Sequence, residues 1–153
     1  MVLKGRKIIM IISLSADHAG FQYKELIKKH LADKGIKIID RGTFSEDSVD
    51  YPDFIQKSAS DVIAGNAEFG IGVCGSGIGV SISANKIKGI RAALVLNEEM
   101  ASLSRKHNNS NFLALSQKFI NKDQLFLIVD TYLNTQFEGG RHQKRIDKLE
   151  QNL

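Results

Sequence analysis

Four short segments carry the residues whose types and spacing could do chemistry. Asp17-His18 comes directly after an apolar run, and Cys74-Gly75-Ser76-Gly77-Ile78-Gly79 comes after another. His107-Asn108 closes a helical stretch, and Arg141 and Arg145 follow the pair Gly139-Gly140. A thiol ahead of three glycines has two readings. As chemistry, Gly75, Gly77 and Gly79 let backbone N–H groups approach an anion or a developing enolate oxygen at a helix N-terminus. The partial positive charge of that helix end favours a thiolate at Cys74, which suits it to proton abstraction. As structure, the glycines serve a tight strand-to-helix turn that needs positive φ, and Cys74 is a small buried hydrophobe. Ser76 either donates to a substrate oxygen or caps the helix. The spacing G-x-G-x-G, with Val80 next and no Walker lysine, is neither the dinucleotide nor the P-loop fingerprint.

The other segments divide in the same way. Asp17-His18 is either a polar turn or a pair in which the carboxylate binds substrate hydroxyls and the imidazole meets a phosphate. His107-Asn108 is either a helix C-terminus, where such residues are favoured anyway, or part of a site. Arg141 and Arg145 are four apart and share one helix face. That face is either solvated or a phosphate clamp.

The elements that must position these groups alternate along the chain. Ile8 to Ser15 is a near-continuous apolar run, as in a parallel strand covered on both faces. A helical stripe of Tyr23, Leu26, Ile27, His30 and Leu31 follows, closed by Gly35. Ile36–Asp40 reads as a second strand, 41–50 as a loop, and Pro52 as the first turn of a helix through Ile63. Phe69–Cys74, Ile90–Leu96 and Asn111–Leu115 are the remaining strands, separated by helices. Asn121 with Gln124 resembles a capping box. The pattern predicts a three-layer α/β fold with an open, five-stranded parallel sheet and right-handed crossovers. Ligands in such sheets bind outside the carboxyl ends of the strands. The four segments fall at strand ends or in nearby loops, which is the main argument for a site.

Composition bounds the rest. The chain has 153 residues, 42% hydrophobic and 25% charged, which suits one ordinary globular domain, 1–153. Residues 1–7 read as a lead-in, and 141–153 as a C-terminal helix whose apolar stripe is too thin for a core and suits a partner subunit. The N-terminal apolar run is too short to span a bilayer and passes into Asp17 and His18 rather than a cleavage site. A membrane role is therefore not expected. The single cysteine cannot form an internal disulfide and favours a reducing compartment, the cytoplasm. Lys plus Arg is 21 and Asp plus Glu 17, net +4. This is either a mildly basic surface or the mark of an anionic partner. No aromatic-interleaved basic run or zinc spacing supports nucleic-acid binding.

Taken together, the residues resemble type B ribose-5-phosphate isomerases, in the family that also holds the lactose-pathway galactose-6-phosphate isomerase subunits. The resemblance runs from about Ile8 to Leu149. It rests on Ser15-Ala16-Asp17-His18-Ala19-Gly20-Phe21, Asp50-Tyr51-Pro52, the Cys74–Gly79 loop and Ala84-Asn85-Lys86. It continues through Gly89-Ile90-Arg91-Ala92, Ser104-Arg105-Lys106-His107-Asn108-Asn109 and Glu138-Gly139-Gly140-Arg141-His142-Gln143-Lys144-Arg145. The resemblance implies a Rossmann-like fold and interconversion of ribose 5-phosphate and ribulose 5-phosphate, with no metal or cofactor. It also implies an active site shared across a homodimer or a dimer of dimers.

By the same match, Cys74 would be the general base, with Ser76 and the loop amides of Gly75, Gly77, Ile78 and Gly79 steadying an enediolate. His107, with Asp17, would open the furanose ring. His18, Arg141 and Arg145 would hold the phosphate, the arginines from the other subunit, and Tyr51, Asn85 and Asn108 would line the sugar. Some relatives carry a Glu just after the glycine loop in place of the cysteine. This chain has Val80 there and resembles the cysteine branch. Relatives with a Gly-rich segment ending in Arg after the fifth strand differ from Ser116-Gln117-Lys118 here. Lys118 keeps the charge of that position without the bidentate fork. Two rival readings stand beside this one: an isomerase of a six-carbon sugar phosphate (allose or galactose 6-phosphate), and a non-catalytic sugar-phosphate-binding module.

Overall fold

Phe69, Ile71 and Val73 point to one face of the third long strand, while Gly70, Gly72 and Cys74 point to the other. That two-residue alternation organises the molecule. A computed structural model describes residues 9–151 throughout and, nearer the start, the backbone of two short strands. These are β1 (Val2–Leu3) and β2 (Arg6–Lys7), an antiparallel pair within the expected lead-in.

The main chain then runs β3 (Ile11–Ala16), α1 (Phe21–Asp33), β4 (Lys37–Asp40), α2 (Tyr51–Ile63) and β5 (Phe69–Cys74). It continues with α3 (Ile78–Asn85), β6 (Ala92–Leu94), α4 (Glu98–Lys106), β7 (Phe112–Ser116), α5 (Lys122–Asn134) and α6 (Arg141–Ile146). The five strands β3 to β7 form one all-parallel sheet in the order β4-β3-β5-β7-β6. The expected open parallel sheet is present.

Helices cover both faces. Ile12, Leu14, Ile71, Val73, Leu113 and Leu115 pack against α1, α4 and α5 in one core. The opposite face meets α2 and α3 through Ile55, Ala59, Val80, Ala84, Phe112 and Ala114. The glycines of β5 belong to this second layer. A Cβ on Gly70 would stand 2.4 Å from the Phe112 ring, and one on Gly72 would stand 2.7 Å from Val80. The apolar run of β3 also hides polar groups on that face. Ser13 donates to Asp61 at 2.7 Å, and Ser15 meets Ser58 at 2.6 Å, so α2 satisfies both buried hydroxyls.

Boundaries move where edge or terminus effects dominate. The first long strand begins at Ile11, because Ile9 is already exposed, and Ile8 lies outside the described residues. The fourth expected strand shortens to Ala92–Leu94, since β6 is an edge paired on one side only. Asn121 does cap α5, but its side chain makes no capping hydrogen bond. Helix α6 ends at Ile146 and passes into turns through residue 151. Its cations Lys144, Arg145 and Lys148 crowd a short segment whose Leu149 is exposed, so no core holds a longer helix. Residues 152–153 of the expected helix lie outside the described residues.

Candidate active site

The chain turns back across the sheet between β3 and β5: β4 lies to one side of β3 and β5 to the other. The carboxyl ends flanking such a switch point form a crevice, and Asp17-His18 and the Cys74 loop leave the sheet there. Asp17 is 7% exposed, and its Oδ1 accepts the N–H groups of Ala19 and Gly20 at 3.0 and 3.1 Å. One carboxylate oxygen thus builds the entry to α1, so the polar-turn reading holds without excluding a second role. His18 Nδ1 accepts the Val49 N–H at 3.1 Å, which assigns the proton to Nε2 and leaves that nitrogen as a donor. Gly20 must lack a side chain, because a Cβ there would fall 2.3 Å from the Val73 carbonyl oxygen. That close approach brings Asp17 and β5 together.

The glycine loop closes over the sulfur. Cys74 is 5% exposed, and the Gly77 N–H donates to its Sγ at 3.1 Å. A backbone donor at that position is a hydrogen bond a thiolate accepts well. Gly77 has φ +78°, and a Cβ on it would press into Leu94 and the Leu115 carbonyl group. Both readings of the glycines therefore apply: the turn needs them, and the turn delivers an amide to sulfur. Ser76 Oγ accepts the Ile78 N–H at 3.2 Å, a local cap. Tyr51 lies across Gly79, where a Cβ would meet its ring at 2.9 Å, so the tyrosine is positioned by the absence of a side chain.

Two residues missed by sequence reasoning tie this loop to β7. Ser116 Oγ donates to the Gly75 carbonyl at 2.7 Å and accepts the Phe119 N–H at 2.9 Å. The Lys118 N–H donates to the same Gly75 carbonyl, and Gln117 Oε1 accepts the Tyr23 N–H at 3.0 Å. The signal was the unusual Ser116-Gln117-Lys118 itself. Lys118 is exposed, with its ammonium 5.5 Å from the Phe119 ring centre.

The other candidates lie elsewhere. Helix α4 starts after β6 and runs back, so His107 and Asn108 stand before β7, at the amino edge of the sheet. Asn85, at the end of α3, also reaches that edge and there bonds both the N–H and the carbonyl of Ala92, at 2.8 and 3.0 Å. From the Gly70–Phe112 pair to the Cys74–Ser116 pair the strands advance about 13 Å at about 3.3 Å per residue. The expectation that His107-Asn108 joins the carboxyl-edge crevice within one chain is therefore corrected. A helix that returns antiparallel to its strand must end at the opposite edge.

At the amino edge the turn is built by Arg105. Its guanidinium lies 4.7 Å from the Phe69 ring centre and bonds the Ser110 carbonyl and Asn109 Oδ1, while Asn109 adopts φ +44°. This scaffold presents His107 and Asn108. The His107 ring stacks on buried His142 at 4.4 Å and 16°. Burial, then the neighbouring His107 and Arg141, hold the His142 imidazole below its usual pKa. His107, Asn108, His142, Arg145, Ile146 and Leu149 line a cleft of ≈ 290 Å³, and Asn108 and Leu149 also line a second of ≈ 320 Å³ with Asn85 and Arg91. Each is near the lower limit for a complete ligand pocket. Arg141, Lys144, Arg145 and Lys148 line a third surface beside them. Two lysines thus share the surface of Arg141 and Arg145, and His142 and Glu138 stand beside His107 as further ionisable groups that the sequence motifs did not single out.

The sequence profile of the ribose/galactose isomerase family matches residues 12–149. The chain is 41% identical to ribose-5-phosphate isomerase B of Escherichia coli over 138 residues, covering 90% of this chain and 93% of that one. Its fold is similar to the solved ribose-5-phosphate isomerase B of Clostridium thermocellum, with TM-score 0.90, 46% identity and coverage of 91% and 94%. It is similar also to that of Mycoplasma genitalium with bound ribulose 5-phosphate, at TM-score 0.86, 42% identity and coverage of 91% and 93%.

Proposed function

Because the chain belongs to the ribose/galactose isomerase family, we propose that it interconverts ribose 5-phosphate and ribulose 5-phosphate through an enediolate, with Cys74 as general base. The observation that carries the assignment of the base is the Gly77 N–H aimed at Cys74 Sγ, at the switch point shared with Asp17 and His18. The sulfur takes the proton from C2 of the open-chain aldose and returns it to C1, while the hydroxyl proton on O2 passes to O1. Ser76 and the loop amides face the oxygens on which negative charge develops, a preorganised set that need not reorient during the reaction. His18, through its Nε2–H, meets the phosphate. The reaction uses protein groups alone, with no cofactor.

His107, Asn108, Arg141 and Arg145 serve the same substrate from a second copy. One chain holds Cys74, Asp17 and His18 at the carboxyl edge and His107, Asn108 and the two arginines at the amino edge, so a two-fold dimer brings unlike edges together. In this reading the dimer is a requirement of the chemistry. Ile78 and Ile82, both exposed and four apart on α3, suit that contact. The lone thiol suits the cytoplasm, and no described helix is long and apolar enough to cross a membrane.

The test is ribulose 5-phosphate formation in the presence of EDTA, comparing wild type with Cys74→Ala. Loss of a general base predicts a fall in kcat of about 10²–10⁴-fold. A Cys74→Ala protein with near-normal turnover would move the base elsewhere. A kcat/KM for allose or galactose 6-phosphate above that for ribose 5-phosphate would replace the substrate.

A further inference from the structure

His107, Glu138 and His142 each direct one ligand atom into a common space, with all three atoms within 4.8 Å of one another. We propose that these three residues form a site for a zinc-class divalent transition metal, and that its occupancy inhibits the enzyme by withdrawing His107 from ring opening. The inhibitory half rests on the role given to His107 above, whereas the site itself rests on geometry alone.

Two imidazoles and one carboxylate, with a fourth position left to water, are a ligand set that zinc accepts readily. At Zn–N distances of about 2.0–2.1 Å, tetrahedral donor atoms stand about 3.4 Å apart. His142 Nε2 and Glu138 Oε2 are 3.7 Å apart before any metal enters. The backbone of the set is already tied together. The Glu138 N–H donates to the Lys106 carbonyl at 3.1 Å, the His107 N–H to Leu103, and the His142 N–H to Gly139.

Two features set the strength. The imidazoles are stacked at 16°, and their lone pairs lie in the ring planes, so the rings must tilt to converge on one ion. Arg141 and Arg145 flank the site and repel a cation. Both lower the affinity below that of a structural zinc centre, which suits a reversible inhibitory site. Glu138, half exposed, supplies the mobile third ligand, and the cleft lined by His107, Asn108 and Arg145 supplies the entry path. Hard ions that prefer all-oxygen shells, such as Mg²⁺ and Ca²⁺, do not match this set.

The experiment titrates Zn²⁺ calorimetrically into the full-length Cys74→Ser protein, which removes the competing thiol. One site per chain is expected, with no heat from Mg²⁺. Affinity should fall at least tenfold in Glu138→Gln on that background, an exposed change that leaves the fold alone, and vanish in His142→Asn. With Cys74 present, Zn²⁺ should inhibit the wild type reversibly by EDTA. Glu138→Gln should keep its metal-free turnover while resisting inhibition by at least tenfold. Zinc binding or inhibition unchanged by Glu138→Gln would overturn the proposal. A wild type without isomerase turnover would sink the reading of function, and the titration would still decide the metal site.

Discussion

At the carboxyl edge of the sheet the candidate groups are held by backbone. Cys74 is bonded by the Gly77 amide, Asp17 by two amides, and His18 by the Val49 amide. At the amino edge they are long and exposed, with Arg141 and Arg145 on a six-residue helix beside His107. The difference matches the work that the proposed mechanism gives each edge. Proton transfer demands positions accurate to a fraction of an ångström, which buried turns provide. Under the proposed mechanism the amino edge holds a dianionic phosphate across a subunit boundary, a task that tolerates side chains that adapt.

The largest expected effect tests whether the two edges act together. Cys74→Ala and His107→Ala proteins, each nearly inactive, should regain about a quarter of wild-type activity when unfolded, mixed and refolded. That is the yield if half the dimers are mixed and one of their two sites is intact. No recovery in the mixture, despite mixed dimers seen by mass spectrometry, would place both edges in separate sites. Next in size, Arg141→Ala and Arg145→Ala should each raise KM by about 10–100-fold, the loss of about 1.5–3 kcal/mol of charged hydrogen bonding. Their melting temperatures should stay near wild type, because both residues are exposed. Steady-state kinetics in which both arginine variants keep wild-type KM would remove the amino edge from binding.

A smaller effect separates stability from activity. The Arg41 fork, then burial and the Ser13 hydroxyl, act on buried Asp61, and the net result holds its carboxyl below the usual carboxylate range. A depressed folded-state pKa contributes stability above the ordinary value of about 3.9, and that stability is lost as pH falls through the folded value. Asp61→Asn should therefore lower the melting temperature at neutral pH and flatten its decline in acid. A melting curve series that runs parallel to wild type at every pH would contradict that role. The smallest effect is expected at Lys118. Lys118→Arg restores a bidentate fork beside the Gly75 carbonyl and should lower KM by no more than a few-fold. A change in kcat of similar size would indicate that the β7 loop acts on Cys74 rather than on phosphate.

Much of the fold was legible because its causes are local. The apolar run of β3, the glycine at the end of α1 and the proline in the first turn of α2 each act within a few residues. Gly35, for example, takes φ +77° and donates its N–H to the Ala32 carbonyl at 2.9 Å. The serines of β3 were not readable as partners of α2, because Ser13 and Asp61 are 48 residues apart and nothing between them signals the bond. The same holds for Ser116 and Gly75, 41 apart, which lock the site loop to β7.

What the sequence determined by itself was the inventory: alternating elements, a thiol before a glycine turn, and the motifs that identify the family. Only the tertiary structure decided how those residues divide. A parallel sheet requires every helix to return against its strand. Residues after a strand and residues after the next helix therefore stand at opposite edges, however close they lie along the chain. That single geometric fact places Cys74 on one edge and His107 on the other, and gathers His107, Glu138 and His142 into one cluster.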